Sequence, residues 1–325
     1  MKTLDVIVVG ELNLDIIMNG IQGFPSIGKE ILANQMTLTL GSSAAIFASN
    51  LSSLGAKVGF IGKLGKDHFG DYILDELGAV GVRTEGIQHG ELPTGATLVM
   101  NFGEDRANVT YRGVMETLTF SDIPQDLLGE ARHLHFSSYF FQPGLQQDLH
   151  KLLKLAKNAG MTTSFDAQWD PAEQWKIELA ELLPYTDIFL PNEKEAIQLT
   201  HSSGLDEAIK YLRSFKTSTI IKMGNKGSLS ISERGLLHLP AYLNTQTIDA
   251  IGAGDSFNSG FIYKFLQQAS LEQCQEFGNL MGAICTTAAG GTAAFKDPLQ
   301  MAEIARKQFG YMLDGVASQF LYDVE

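Results

Sequence analysis

The chain opens with Asp5-Val6-Ile7-Val8-Val9-Gly10, an unbroken β-branched run. Such a run predicts a strand buried on both faces. Residues 29–40 alternate more loosely and predict an edge or lid strand. A helix follows from Gly41-Ser42-Ser43 to about Leu54, then a strand over Lys57–Ile61, then a helix over 67–80 with Asp67 placed to cap it. The runs 94–102 and 106–112, joined by a turn with Gly103, Glu104 and Asp105, predict a hairpin. Beyond residue 130 the pattern settles into alternation. Strands are expected at 132–137, 161–166, 187–190 and 218–223, with helical periodicity at 144–159, 172–182, 193–201 and 205–215. Alternating strands and helices predict an α/β protein with a parallel sheet covered on both faces. In such sheets ligands bind beyond the carboxyl ends of the strands. This directs attention to residues 11–15, 41–44, 166–170 and 192–195.

The most informative stretch is Asp249-Ala250-Ile251-Gly252-Ala253-Gly254-Asp255-Ser256-Phe257. A turn with two glycines runs into a helix whose apolar face carries Phe257, Phe261, Ile262, Phe265 and Leu266. The first N–H groups of that helix lack intrahelical partners and favour an anion in front of them. Asp255 stands beside that spot. Two jobs fit it: accepting a proton from a hydroxyl that attacks a phosphoryl group, or capping the helix.

Bulk properties narrow the function classes. The 325 residues are 44% hydrophobic and 19% charged, as in a globular protein with a sizeable core. A net charge of −13 argues against a nucleic-acid-binding surface but not against a nucleotide held in a local anion hole. No apolar run approaches membrane-spanning length, and no leader pattern precedes the first strand. Cys274 and Cys285 fall on one expected helical stretch, about 16 Å apart, too far for a disulfide. A reduced, cytoplasmic protein is the simplest account.

The motifs together resemble the PfkB, or ribokinase-like, carbohydrate kinase family. Residues 249–257 match the family's C-terminal signature. Leu54-Gly55 and Gly62-Lys63-Leu64-Gly65-Lys66-Asp67-His68-Phe69-Gly70 match its N-terminal one. The resemblance implies a three-layer α/β/α sandwich with a mostly parallel central sheet. It implies a single domain over residues 1–325, with a small β-stranded lid from about 16–40 and 94–112. It implies phosphoryl transfer from ATP to a hydroxyl of a sugar or related polyol, with Asp255 as base and Gly252, Ala253 and Gly254 as anion hole. Asn192 and Glu195 match the motif that organises Mg²⁺, often through water. Lys222, Gly224 and Gly227 match the nucleotide loop, and Asn279 a contact to the nucleoside. Asn13, Asp15, Gly41, Ser42 and Asp166 fall where the family binds substrate, and Thr97, Val99 and Phe102 are candidates to face the pocket. Lid strands of the family often pair between subunits, so a homodimer is expected.

Three departures bear on the acceptor. Ile46 replaces an Asn that commonly binds a sugar hydroxyl, making that corner more apolar. Gln168 and Asp170 stand for the Asn and Arg of several sugar kinases, and losing the Arg lowers the expectation of an acidic or phosphorylated sugar. Ala250 and Ile251 replace hydroxyl-bearing residues near a loop where some members hold a monovalent cation. Asp249 and the carbonyls of residues 288–291 would be its ligands here, and the replacements argue against it. A nucleoside kinase is the alternative, with Phe102, Phe136, Tyr139, Phe140 and Phe141 as aromatics that could face a base. A catalytically weak ligand-binding homologue is another. A dinucleotide oxidoreductase is disfavoured, since no Gly-x-Gly-x-x-Gly follows the first strand.

Overall fold

The computed structural model describes residues 2–102 and 105–313. Met1, residues 314–325, and Gly103 and Glu104 of the expected hairpin turn lie outside the described residues. The large sheet is built from β1 (Leu4–Val9), β4 (Val58–Leu64), β5 (Arg83–His89), β8 (Ala131–Ser137), β9 (Thr162–Asp166), β10 (Ile188–Phe189), β11 (Ser218–Lys222), β12 (Ser228–Ser232) and β13 (Gly235–Leu239). Its order is β13-β12-β11-β10-β9-β8-β1-β4-β5, parallel from β11 to β5, with an antiparallel hairpin, β12–β13, at one edge. Strand β1 shows why its sequence is apolar throughout. Ile7 and Val9 pack into one core cluster and Val6 and Val8 into another, because both faces of the sheet are covered.

A second, four-stranded sheet runs β3-β2-β6-β7, from β2 (Asn13–Asn19), β3 (Gln35–Leu40), β6 (Gly95–Phe102) and β7 (Asp105–Tyr111). Strands β6 and β7 form the expected hairpin. The small sheet leans on the signature loop: Ile17 and Val99 from its inner face meet Ile251 in one apolar cluster.

Most expected elements are present, and Asp67 caps its helix through Gly70 N–H. Three elements differ from expectation. Residues 172–182 do not form one helix; the chain is irregular to Glu178, and only Leu179–Leu182 is helical. Both carboxylate oxygens of Asp170 accept backbone N–H groups, from Ala172, Gln174 and Trp175, which fixes a compact turn in place of a helical ladder. Glu173 and Trp175 accordingly sit at positive φ. Strand β3 begins only at Gln35 instead of residue 29. Residues 13–19, shortly after the end of β1 at Val9, form strand β2 because the small sheet pairs them on both edges.

Asn50 ties the signature loop to the body. It lies fully buried on the helix Ser43–Ser53, and its Nδ2 donates to Ser256 Oγ and to Gly291 O, each at 2.9 Å. Asn50→Ala leaves both acceptors without that donor. We expect a loss of about 1–3 kcal/mol of stability, read as a lower urea midpoint with an unchanged slope.

Candidate active site

The carboxyl ends of four parallel strands set the site. Glu11 follows β1, Asp166 ends β9, Asn192 follows β10, and Lys222 ends β11. In front of them the signature loop feeds the helix Ala253–Leu266. Two cavities open there, of about 1020 and 420 Å³. They share Arg106, Gln168, Asn192, Glu195, Gly252 and Asp255, so the two spaces meet at Asp255.

Asp255 is not the helix cap. Gly252 occupies the cap position, at φ 73°, and Asp255 is the third residue of the first turn. Its side chain points to the junction, where Oδ1 accepts from Gln168 Nε2 at 2.9 Å. The helix ladder begins with Ser256 N–H to Gly252 O, and Ala253 N–H turns back to Ala250 O at 3.3 Å. The N–H groups of Gly254 and Asp255 precede that ladder, and both residues border the smaller cavity. Burial pushes the Asp255 carboxyl up to about 6, with neighbouring Asp166 adding to the rise.

Around it lies a compact charge cluster. Lys222 Nζ donates to Asp166 Oδ2 at 2.6 Å and to Asn258 Oδ1 at 3.3 Å. Burial acts to lower the ammonium's pKa. The carboxylates of Asp166, Glu195 and Asp255 outweigh that and hold it raised. Gln168, at φ 61°, spans Asp166 and Asp255 with one amide group. Glu195 is pushed up to about 7, first by burial and then by Asp166. Asn192 and Glu195 form a reciprocal capping box on the helix Glu193–Leu199, at 2.8 and 2.9 Å. This engages Asn192 Oδ1 and Glu195 Oε2, leaves Glu195 Oε1 outside the box, and both residues border the two cavities.

On the larger side, Asn13, Asp15 and Ser42 line the cavity. Asn13 Nδ2 donates to Thr97 Oγ1 at 2.7 Å and to Asp15 Oδ1 at 3.3 Å, which steadies Asp15. Burial lifts Asp15 to about 7. Gly41 lies against the Asp15 carboxylate, where a side chain would collide. Thr97 and Val99 face the cavity; Phe102 instead packs on Phe24, at 5.7 Å between rings. Phe140, Phe141 and Trp169 form an aromatic wall, while Phe136 and Tyr139 belong to the core. On the smaller side, Lys222, Gly224, Gly227 and Asn279 all line the cavity.

Not every expected residue borders these spaces. Asp166 lines neither cavity; it is fully buried and held by Lys222, Asn258 and Gln168. Asp249 gives its oxygens to Ile251 N–H and Gly290 N–H, closing the signature loop onto residues 288–291. Ile46, by contrast, lines the larger cavity, as expected of an apolar pocket corner, and also packs over Gly252 and Gly291. Sequence reasoning gave no role to Glu11. It is buried, accepts from Ser138 Oγ at 2.7 Å, and keeps Oε2 unpartnered beside the larger cavity, with its pKa lifted to about 7 by burial. It also missed Tyr242, Asn244 and Thr286, which line the smaller cavity. Glu11 sits in the strand-end loop already singled out; Tyr242 and Asn244 lie in an irregular segment with no periodic signal, and Thr286 caps the end of the helix Leu271–Cys285.

A mostly parallel sheet, a small covering sheet, and an acid at a glycine-turned helix start between two cavities define an α/β phosphotransferase. The family model of the pfkB family carbohydrate kinases matches residues 3–298, and the chain belongs to that family. It is 28% identical over 266 residues to the 2-dehydro-3-deoxygluconokinase of Bacillus subtilis, covering 77% of this chain and 82% of that one. The fold superposes on adenosine kinase from Sinorhizobium meliloti with a TM-score of 0.80 at 22% identity, over 93% of this chain and all of the other. It superposes on Arabidopsis thaliana ribokinase complexed with ribose and ATP with a TM-score of 0.77 at 24% identity, over 90% and 95% of the two chains.

The two signature glycines differ in what they need. A Cβ on Gly252 would stand 2.5 Å from Gly291 Cα, and its φ is in the left-handed region. A Cβ on Gly254 would meet only Lys222, at 3.6 Å or more. Gly252→Ala is therefore expected to cost about 1–3 kcal/mol in thermal or urea unfolding. Gly254→Ala should leave stability within about 0.5 kcal/mol, and its methyl group would enter the smaller cavity.

Proposed function

We propose that the protein transfers the γ-phosphate of ATP to a hydroxyl of a sugar or related polyol. The larger cavity takes the acceptor and the smaller one ATP. The observation that carries this reading is the position of Asp255 and the open helix N–H groups where the two cavities meet. The acceptor oxygen attacks the γ-phosphorus, its proton passes to Asp255, and the bond to ADP breaks. The Gly254 and Asp255 N–H groups, with the loop at Gly252 and Ala253, stabilise charge on the phosphoryl oxygens. Gln168 fixes the Asp255 carboxylate, and Lys222 keeps the neighbouring acids from repelling it.

The donor set fits Mg²⁺ held mainly by phosphate oxygens and water. Among the described residues no three His, Cys, Asp or Glu side chains form a metal cage, while Glu195, which borders both cavities, keeps Oε1 outside its capping box with Asn192. When bound, the ion would neutralise phosphate charge. We assign the acceptor hydroxyls to Asn13, Asp15, Ser42 and Glu11. The small sheet serves as the lid that excludes water from this space, and the whole chain acts as one kinase domain. Its outer face is apolar, with Met36 61%, Leu38 43%, Val109 60% and Tyr111 53% exposed, which supports pairing of two lids. The aromatic wall of Phe140, Phe141 and Trp169 favours a second reading, a nucleoside acceptor with its base against those rings. No helix among the described residues is long and apolar enough to cross a membrane. Two buried free thiols, Cys274 and Cys285, fit a reducing cytoplasm.

Asp255→Asn should lower turnover by at least about a hundredfold while ATP affinity stays within a fewfold, measured by coupled ADP release and calorimetry. Full activity in this variant would remove the base from the account. Because Asp255 must be ionised to accept a proton, and its carboxyl is raised to about 6, activity is present above that pH. It should fall about tenfold per pH unit below it, read from the pH profile of kcat/KM.

A further inference from the structure

We propose that Asn50 is a positioning residue for phosphoryl transfer. From beneath the signature loop it holds the first turn of the helix Ala253–Leu266, and with it Asp255 and the N–H groups of Gly254 and Asp255, in the geometry of the reaction. The assignment rests on the kinase reading above and goes beyond the part Asn50 plays in stability. Asn50, Ser256 and Cys285 meet under the loop as a buried polar network, and none of the three lines either cavity. Ser256 directly follows Asp255, and its N–H makes the first bond of the helix ladder, to Gly252 O at 2.8 Å. Asn50 Nδ2 gives one hydrogen to Ser256 Oγ and the other to Gly291 O. The Cys285 thiol reaches Ile251 O at 3.3 Å and Gly291 O at 3.6 Å. Burial pushes that thiol up to about 12, so it stays an S–H donor. The network therefore grips the loop on both sides of Gly252 and clamps it to Gly291.

Stability alone does not account for an asparagine at this place. Asn50 Oδ1 is buried without a hydrogen-bond partner, which is unfavourable. An apolar side chain of similar shape would fill the space and avoid that cost. Phe47 and Leu51, its neighbours on the helix Ser43–Ser53, are apolar and equally buried. What an apolar side chain would not supply is two N–H donors of fixed direction. One of them ends on the residue next to Asp255, and the other ends on the segment that backs the loop. The anchors at the other side are firm, because the helices that carry Asn50 and Cys285 both pack on the helix Ala253–Leu266. Transfer depends on donors and base standing where charge develops in the transition state. A displacement of about 1 Å there is enough to slow such a step by about a hundredfold.

The test compares the wild type with Asn50→Ala, Ser256→Ala and the double variant. Melting curves set an assay temperature at which each is folded. There kcat and the KM for Mg²⁺–ATP are measured by ADP release, with the acceptor that supports turnover in a panel of sugars, sugar acids, polyols and nucleosides. Asn50→Ala should lower kcat about tenfold or more while KM stays within about twofold, because the loss falls on the transition state. Ser256→Ala cuts one of the two ties and should lower kcat about threefold, again with little change in KM. The double variant should be no slower than Asn50→Ala, since both changes remove the same bond. Where Asn50→Ala fails to fold, Ser256→Ala decides by itself. A lower melting temperature with wild-type kcat and KM would make Asn50 a stability residue only and overturn the proposal. A raised KM at unchanged kcat, or losses that multiply in the double variant, would overturn it too, and each leaves the kinase reading in place. Absence of turnover of any acceptor by the wild type would overturn both.

Discussion

One buried lysine among three carboxylates is the constraint on which the site depends. Asp166, Glu195 and Asp255 all lie close enough to shift the Lys222 ammonium. Without a cation, burying these acids together would drive at least one of them neutral. A neutral acid cannot accept the proton of an attacking hydroxyl. Lys222 is bound to Asp166, and Gln168 and Asn258 complete that carboxylate's hydrogen bonds. Asp255 is thus left with one amide donor and an oxygen toward the junction. Burial, with Asp166 adding to it, keeps the Asp255 and Glu195 carboxyls raised.

The fold delivers these groups from separate stretches of chain. Parallel strands β9, β10 and β11 are neighbours, so their carboxyl ends bring Asp166, Asn192 and Lys222 side by side. The signature loop then has to be pinned over them. Asn50 holds it through Ser256 and Gly291, Asp249 closes it onto Gly290, and Ile46 packs on Gly252 and Gly291. Ile251 receives the small sheet through Ile17 and Val99. The residues at 46 and 251 that depart from the family's polar pattern both pack the loop and line the larger cavity. They shape the signature loop, and Ile251 seats the small sheet on it.

Much of this was legible in the sequence because periodicity and local chemistry agreed. The β-branched run of β1, the capped helix after Asp67 and the glycine-turned helix start at Gly252 each read correctly from adjacent residues. The expected nucleotide-loop residues Lys222, Gly224 and Gly227 do line one cavity, and Asn13, Asp15 and Ser42 the other. What failed was set by distant partners. The segment 172–182 has helical periodicity, but one carboxylate, Asp170, captures its backbone. Strand β2 exists because β3 and β6 flank it, which no local pattern in Asn13–Asn19 announces. Asp166 looked like a substrate ligand by position, and Lys222 fills its coordination instead. Gln168 read only as a departure from a motif until the structure joined it to Asp255.

The central claim is that the two cavities meeting at Asp255 hold an acceptor hydroxyl and the γ-phosphate of ATP. The most direct test is ADP formation with Mg²⁺–ATP over a panel of sugars, sugar acids, polyols and nucleosides, with phosphorus NMR of the product. The account predicts acceptor-dependent ADP release and a new phosphate monoester on one class of acceptor. ATP binding with no acceptor-dependent ADP release from any class would contradict it and favour a ligand-binding protein built on the kinase fold.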